Sequence, residues 1–185
     1  MKKIKINSPF VLIFTFLSFI VLILGYISNN YITNTFFCTY RSSIFNPLMY
    51  LRLFTHTLGH NNFQHWLNNI LYLLILGPIL EEKYGTKNLT IMVFICSFVT
   101  GIVNNIFFTS GLYGASGIVF MFIILASITN LEKGTLPLTF ILVVVLYLGG
   151  EVVHSFSNDD ISQLTHILGG IIGSFFGFYL NKKQG

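Results

Sequence analysis

The chain has 185 residues, of which 54% are hydrophobic and only 9% charged, with a mean hydropathy of +0.75 and a net charge of +4. An ordinary soluble domain is about 25% charged, so this composition excludes a disordered chain, a nucleic-acid-binding arm and a normal water-soluble enzyme. One membrane helix takes about 20 residues, so the chain has room for about six and reads as a single integral membrane domain over residues 1–185.

The first apolar run spans residues 9–27 and follows Lys2, Lys3 and Lys5. A signal peptide is the rival reading. The run is long for a signal core and no small-residue cleavage site follows it, so a retained helix is expected. Residues 28–63 are more polar, with Arg41, Arg52 and several Asn and Ser, but they include the apolar patches 44–45 and 51–54. They read as a structured loop lying at the outer membrane surface. Further helices are expected over residues 64–80, 89–108, 116–130, 136–154 and 162–180. Short charged connectors, 81–87 and 131–135, separate some of them. No repeat or low-complexity segment interrupts this series.

The charges follow the helices. With the N-terminus in the cytoplasm, the inner segments hold Lys2, Lys3, Lys5, Lys83, Lys87, Lys133, Lys182 and Lys183, and the outer side holds only Arg41 and Arg52. That bias satisfies the positive-inside rule and puts both termini in the cytoplasm. A basic nucleic-acid stripe is absent from the pattern. Cys38 sits in the polar loop and Cys96 in an apolar run, so no disulfide is expected, and neither has a metal-ligand spacing.

Ionisable groups inside a membrane are expensive and carry a functional hypothesis by default. In this topology the second, fourth and sixth helices all begin at the outer side. The second carries His65 and Asn69, one turn apart on one face. The fourth opens Gly114-Ala115-Ser116-Gly117. The sixth carries His166, Gly169 and Gly173, again on one face. Ser116, His166, His65 and Asn69 can therefore share one depth. Glycines there let helices approach closely. A serine needs an adjacent base to become a nucleophile, and neutral His166 could supply it. A tetrahedral intermediate needs donors, and His65, Asn69 and the backbone N–H groups of Ala115 and Ser116 are candidates. No acid is placed to complete a triad: Glu81, Glu82 and Glu132 fall on the inner side, and Glu151, Asp159 and Asp160 lie at another helix end or in a loop. A Ser–His dyad is the expectation.

These residues resemble a family, the rhomboid intramembrane serine proteases. The resemblance runs from about Arg52 to Gly173, with the first helix matching in position only. The family's Gly-x-Ser-Gly motif opening the fourth helix is matched by Gly114, Ser116 and Gly117. The sixth-helix His with glycines three and seven residues on is matched by His166, Gly169 and Gly173. The second-helix His and Asn are matched by His65 and Asn69, with His56 and His60 upstream. Arg52 resembles the arginine of the family's membrane-surface loop.

The resemblance implies an all-α polytopic membrane protein with six transmembrane helices around a short buried fourth, and a water-filled cavity open to the outside. It implies cleavage of transmembrane segments of other membrane proteins near the outer face of a prokaryotic plasma membrane, with Ser116 as nucleophile and His166 as base and then acid. No metal or organic cofactor is implied. Phe120 stands where the family often has a Tyr stacked on the catalytic histidine, and Thr165 where Ala is frequent. Glu151 and His154 fall near the outer end of the fifth helix, a region linked with substrate access.

Three other readings are weaker. A metal-dependent membrane enzyme would use His56, His60 and His65, yet there is no HExxH and no nearby acid, and Ser116 is left without a role. A non-catalytic relative that binds membrane segments usually lacks the nucleophile or the base. A small transporter would show inverted repeats and broken helices. For His56 and His60 taken singly, hydrogen bonding within the loop is favoured over catalysis.

Overall fold

A computed structural model describes residues 7–129, 135–148 and 160–184. The described part is all-helical, with one isolated two-residue bridge, Thr39 to Leu112. The helices are α1 (Pro9–Ile27), α2 (Tyr31–Phe36), α3 (Pro47–Thr55), α4 (Phe63–Tyr84), α5 (Thr86–Phe107), α6 (Ser116–Ser127), α7 (Leu138–Val143) and α8 (Asp160–Gln184). A 3-10 turn, His56–Leu58, follows α3, and a π-helical turn, Val144–Leu148, continues α7. Lys2, Lys3, Lys5, Glu132, Lys133, Glu151, His154 and Asp159 lie outside the described residues.

Three of the helices are long and apolar enough to cross a membrane: α1, α5 and residues Gln163–Asn181 of α8. At 22 residues α4 is as long as α5, but Gln64, His65, Asn68 and Asn69 make its first turns polar. With 12 residues, α6 rises only about 18 Å, short of the roughly 30 Å hydrocarbon core. It is apolar on every side, as befits a helix surrounded by protein. Its neighbours are α4, α5, α7 and α8.

Glycines set the tightest of these contacts. A Cβ on Gly169 would collide with the Gly117 carbonyl oxygen, and one on Gly173 would lie 2.7 Å from the Met121 carbonyl oxygen. The backbones of α6 and α8 therefore touch, in the manner of small-residue seams in membranes.

Two segments differ from their sequence reading. The expected charged connector 81–87 is almost entirely helical: α4 continues through Tyr84, and α5 starts at Thr86. Only Gly85 separates them, at φ +80°, a conformation suited to glycine. Within this connector Glu81 is buried and caps a helix end. Its carboxylate accepts from the backbone N–H of Phe10 (2.9 Å) and Val11 (3.1 Å) and from the Thr86 hydroxyl (2.7 Å). It thereby satisfies free donors at the start of α1, where a helix favours negative charge. The second segment is the surface loop, which holds α2, α3 and the 3-10 turn. Asn46 caps α3 by accepting from the Leu48 N–H at 3.0 Å, and Pro47 occupies the first helical position.

Candidate active site

Ser116 is the first residue of α6 and is partly buried. Being first, its backbone N–H and those just after it have no partner within the helix. Four residues on, Phe120 shares its helix face. The Phe120 ring lies parallel to the His166 imidazole, with centroids 4.1 Å apart and planes at 6°. That stack holds His166 along the face of α6 that begins with Ser116. One turn further along α8, Gly169 closes the two backbones at Gly117. Thr165 is buried against Gly117 on the same seam.

A second group converges on Gly114. This glycine has φ +115°, and a Cβ on it would stand 2.8 Å from His65 Nε2 and 4.0 Å from Asn69 Nδ2. Only glycine fits both the conformation and the space. His65 and Asn69 thus meet the chain two residues before Ser116. Asn62 fixes the start of α4 by accepting from the His65 N–H at 2.9 Å, and Asn69 Nδ2 donates to the His65 carbonyl at 3.0 Å. The Gly114 N–H donates to the His56 carbonyl at 2.9 Å, and Ala115 is fully buried.

The upstream histidines support this group from behind. His56 Nδ1 is 3.0 Å from the Arg52 carbonyl, which can only accept, so Nδ1 carries the proton. His56 Nε2 is 3.3 Å from Thr100 Oγ1. Both ring nitrogens are therefore engaged within the protein. His60 meets His65 edge to face, centroids 5.0 Å apart, and its Nδ1 is 3.2 Å from the Leu58 carbonyl. Burial holds His56 down to about 4. Burial, followed by proximity to His65, holds His60 down to about 3. Both are neutral imidazoles at physiological pH. Among the described residues no group of three or more His, Cys, Asp or Glu is placed to hold a metal.

Arg52 points elsewhere. Its Nε donates to the Thr35 carbonyl at 2.7 Å, and its guanidinium lies 4.3 Å from the centre of the Tyr40 ring. It ties α3 to the segment around α2.

Sequence reasoning overlooked one junction, Thr39. It is fully buried. Its backbone exchanges two hydrogen bonds with Leu112, at 2.9 and 2.8 Å. Its carbonyl also accepts from Asn104 Nδ2 at 3.1 Å, and its hydroxyl from Asn105 Nδ2 at 2.5 Å. Asn104 also reaches the Ser110 carbonyl at 3.2 Å. The short segment from Phe108 to Ala115, which delivers Ser116, is therefore held at Ser110, Leu112 and Gly114. Asparagines inside the apolar run of α5 were the available signal; their partner in the surface loop was not.

Helices α4, α6 and α8 thus present a serine at a helix start, a histidine stacked one turn along, and two polar side chains against the preceding glycine. This chain belongs to the rhomboid family: the model of the Rhomboid domain matches residues 47–183. With its apolar helices, it is an integral membrane protein. A relative is the rhomboid protease GlpG of Haemophilus influenzae, 25% identical over 136 residues that cover 72% of this chain and 71% of the relative.

Proposed function

We propose that the protein is an intramembrane serine endopeptidase working through a Ser116–His166 dyad. The observation that carries the proposal is the joint placement of Ser116, the Phe120–His166 stack and the Gly114 turn against His65 and Asn69. Membership of the rhomboid family supports it.

In this reading His166 takes the proton of Ser116 as Oγ attacks the scissile carbonyl. Negative charge develops on the carbonyl oxygen at the start of α6, where the N–H groups of Ala115 and Ser116, the helix dipole and the side chains of His65 and Asn69 favour it. One such donor is worth on the order of 3 kcal/mol to the transition state. His166 then protonates the leaving amine. Water, activated by the same imidazole, hydrolyses the acyl-enzyme and frees Ser116. Phe120 supplies the stacking surface without a hydroxyl. Gly114, Gly117, Gly169 and Gly173 allow the close approach, and His56, His60 and Arg52 hold the surface loop. The substrates are transmembrane segments of other proteins, cut near the outer face of a prokaryotic plasma membrane by one membrane domain of six helices. Both termini are cytoplasmic, and neither a metal nor an organic cofactor takes part.

A fluorophosphonate probe on the purified full chain tests the proposal. Wild type is expected to label, and Ser116→Ala and His166→Ala to lose label while keeping their helical signal. Label persisting on Ser116→Ala overturns the nucleophile assignment. No label on folded wild type moves the assignment to a non-catalytic binder of membrane segments.

A further inference from the structure

A cleft of about 500 Å³ lies away from the candidate site, between α1, α3, the 3-10 turn and α5. Phe14 and Leu17 form one wall, Leu51 and Phe54 another, and Leu58 and Phe94 complete it. Three hydroxyls reach the lining, on Thr55, Thr57 and Ser97. Each donates to a helix carbonyl, those of Leu51, Phe54 and Val93 respectively. A bound water needs two to four polar partners; the three hydroxyls have each committed their one proton, and every other side chain of the lining is apolar. An empty cleft would forfeit dispersion contacts along every wall. The occupant is therefore apolar.

Two of the cleft's walls, α1 and α5, have the length and apolarity of membrane spans. Leu17, Leu51, Phe54 and Phe94 line it and are exposed, so the cleft is open at the apolar surface of these helices. Its size chooses among hydrocarbon partners. A helix is about 10 Å across, so this volume would take roughly one turn of a transmembrane segment and no more. An extended alkyl chain is thin enough to lie along it. We infer that the cleft holds one acyl chain of a bilayer phospholipid, seated between α1 and α5 beneath the surface helix α3. The seat adjoins the turn whose first residue, His56, holds the Gly114 N–H through its carbonyl. The inference does not depend on the proposed protease activity.

The test uses the full chain in vesicles of phosphatidylethanolamine and phosphatidylglycerol, doped with a phosphatidylcholine bearing a diazirine midway along one acyl chain. After photolysis, labelled positions are read by peptide mass spectrometry. Ile171 and Phe175, exposed on the outer face of α8, report ordinary contact with surrounding lipid. Label is expected on peptides holding Leu17, Leu51 and Phe94, saturating at one lipid per chain. Filling the cleft from its α1 wall with Ile13→Trp or Leu17→Trp, both lining residues, should lower that label about tenfold and leave Ile171 and Phe175 unchanged. Two rim variants are used so that misfolding of one does not decide the result. Label on the cleft that never saturates, or that both folded variants retain, overturns the inference. Cross-links joining cleft residues of two chains overturn it in favour of a second copy.

Discussion

His56 is buried among neutral groups, with one ring nitrogen facing the Arg52 carbonyl and the other facing Thr100. Its imidazole is held down to about 4, against an ordinary value of 6.5, because burial penalises the charged form. That depression makes folding sensitive to acid. Above pH 6.5 the ring is neutral in the folded and unfolded chain alike, and its contribution is complete. Between pH 6.5 and about 4 only the unfolded chain takes up the proton, so stability falls as pH falls. Below about 4 both forms are charged and nothing more is lost. The full loss is of order 3 kcal/mol for this residue. Thermal melting in detergent at pH 7 and pH 4 should therefore show a drop for wild type that is smaller in His56→Gln. Equal drops in the two proteins would mean that the ring is charged, or hydrated, in the fold. Of the residue-scale features, the pair one helical turn apart on α4, His65 with Asn69, was legible in the sequence. Such a pair shares a face whatever surrounds it. The left-handed Gly114 was marked by its motif alone, and the stack of Phe120 on His166 was anticipated from resemblance.

Between elements, the joint with most at stake is Thr39. The loop from Phe108 to Ala115 is tied to the surface segment by the Thr39 backbone and by Asn104, which bonds both Thr39 and Ser110, while Asn105 anchors the Thr39 hydroxyl to α5. Removing the Thr39 hydroxyl leaves a buried Asn105 donor with only the Gly101 carbonyl. Thr39→Val should therefore cost about 1–3 kcal/mol in detergent unfolding, and Thr39→Ser should recover most of it. A Val variant as stable as wild type would show that the hydroxyl bond contributes nothing. No window of sequence carries this joint, because its partners are about 65 residues apart. The same blindness explains the end of α4. Two glutamates and a lysine in a row look like a charged connector whose glutamates cap a helix end or are solvated, and an all-helical reading still follows from the apolar runs on either side. That Glu81 is buried depends on α1 starting at the right place to offer it two backbone N–H groups.

On the scale of the molecule, α6 is the axis on which the rest is arranged. It is too short to span a bilayer, and α4, α5, α7 and α8 enclose it. A helix so placed has its first turn, and Ser116 with it, among the surrounding helices. The proposed side of the membrane, the outer one, rests on the charge pattern of the sequence, in which lysines gather at one set of expected helix ends and Arg41 and Arg52 at the other. The arrangement can be read directly by labelling introduced cysteines with a membrane-impermeant maleimide. The native thiols form a quiet background: Cys38 and Cys96 are both buried, and burial pushes the Cys38 thiol up to about 11, further from the reactive thiolate. Ser43 is exposed in the surface segment before α3, and Lys87 is exposed at the start of α5. With the N-terminus inside, Ser43→Cys should react from outside intact cells and Lys87→Cys only after the membrane is opened. The reverse pattern would invert the protein and place Ser116 toward the cytoplasm, so that any substrate would be cut on the inner side. Reaction of both from outside would mean that α4 does not carry the chain across, and the start of α6 would then have to be reached by some other path.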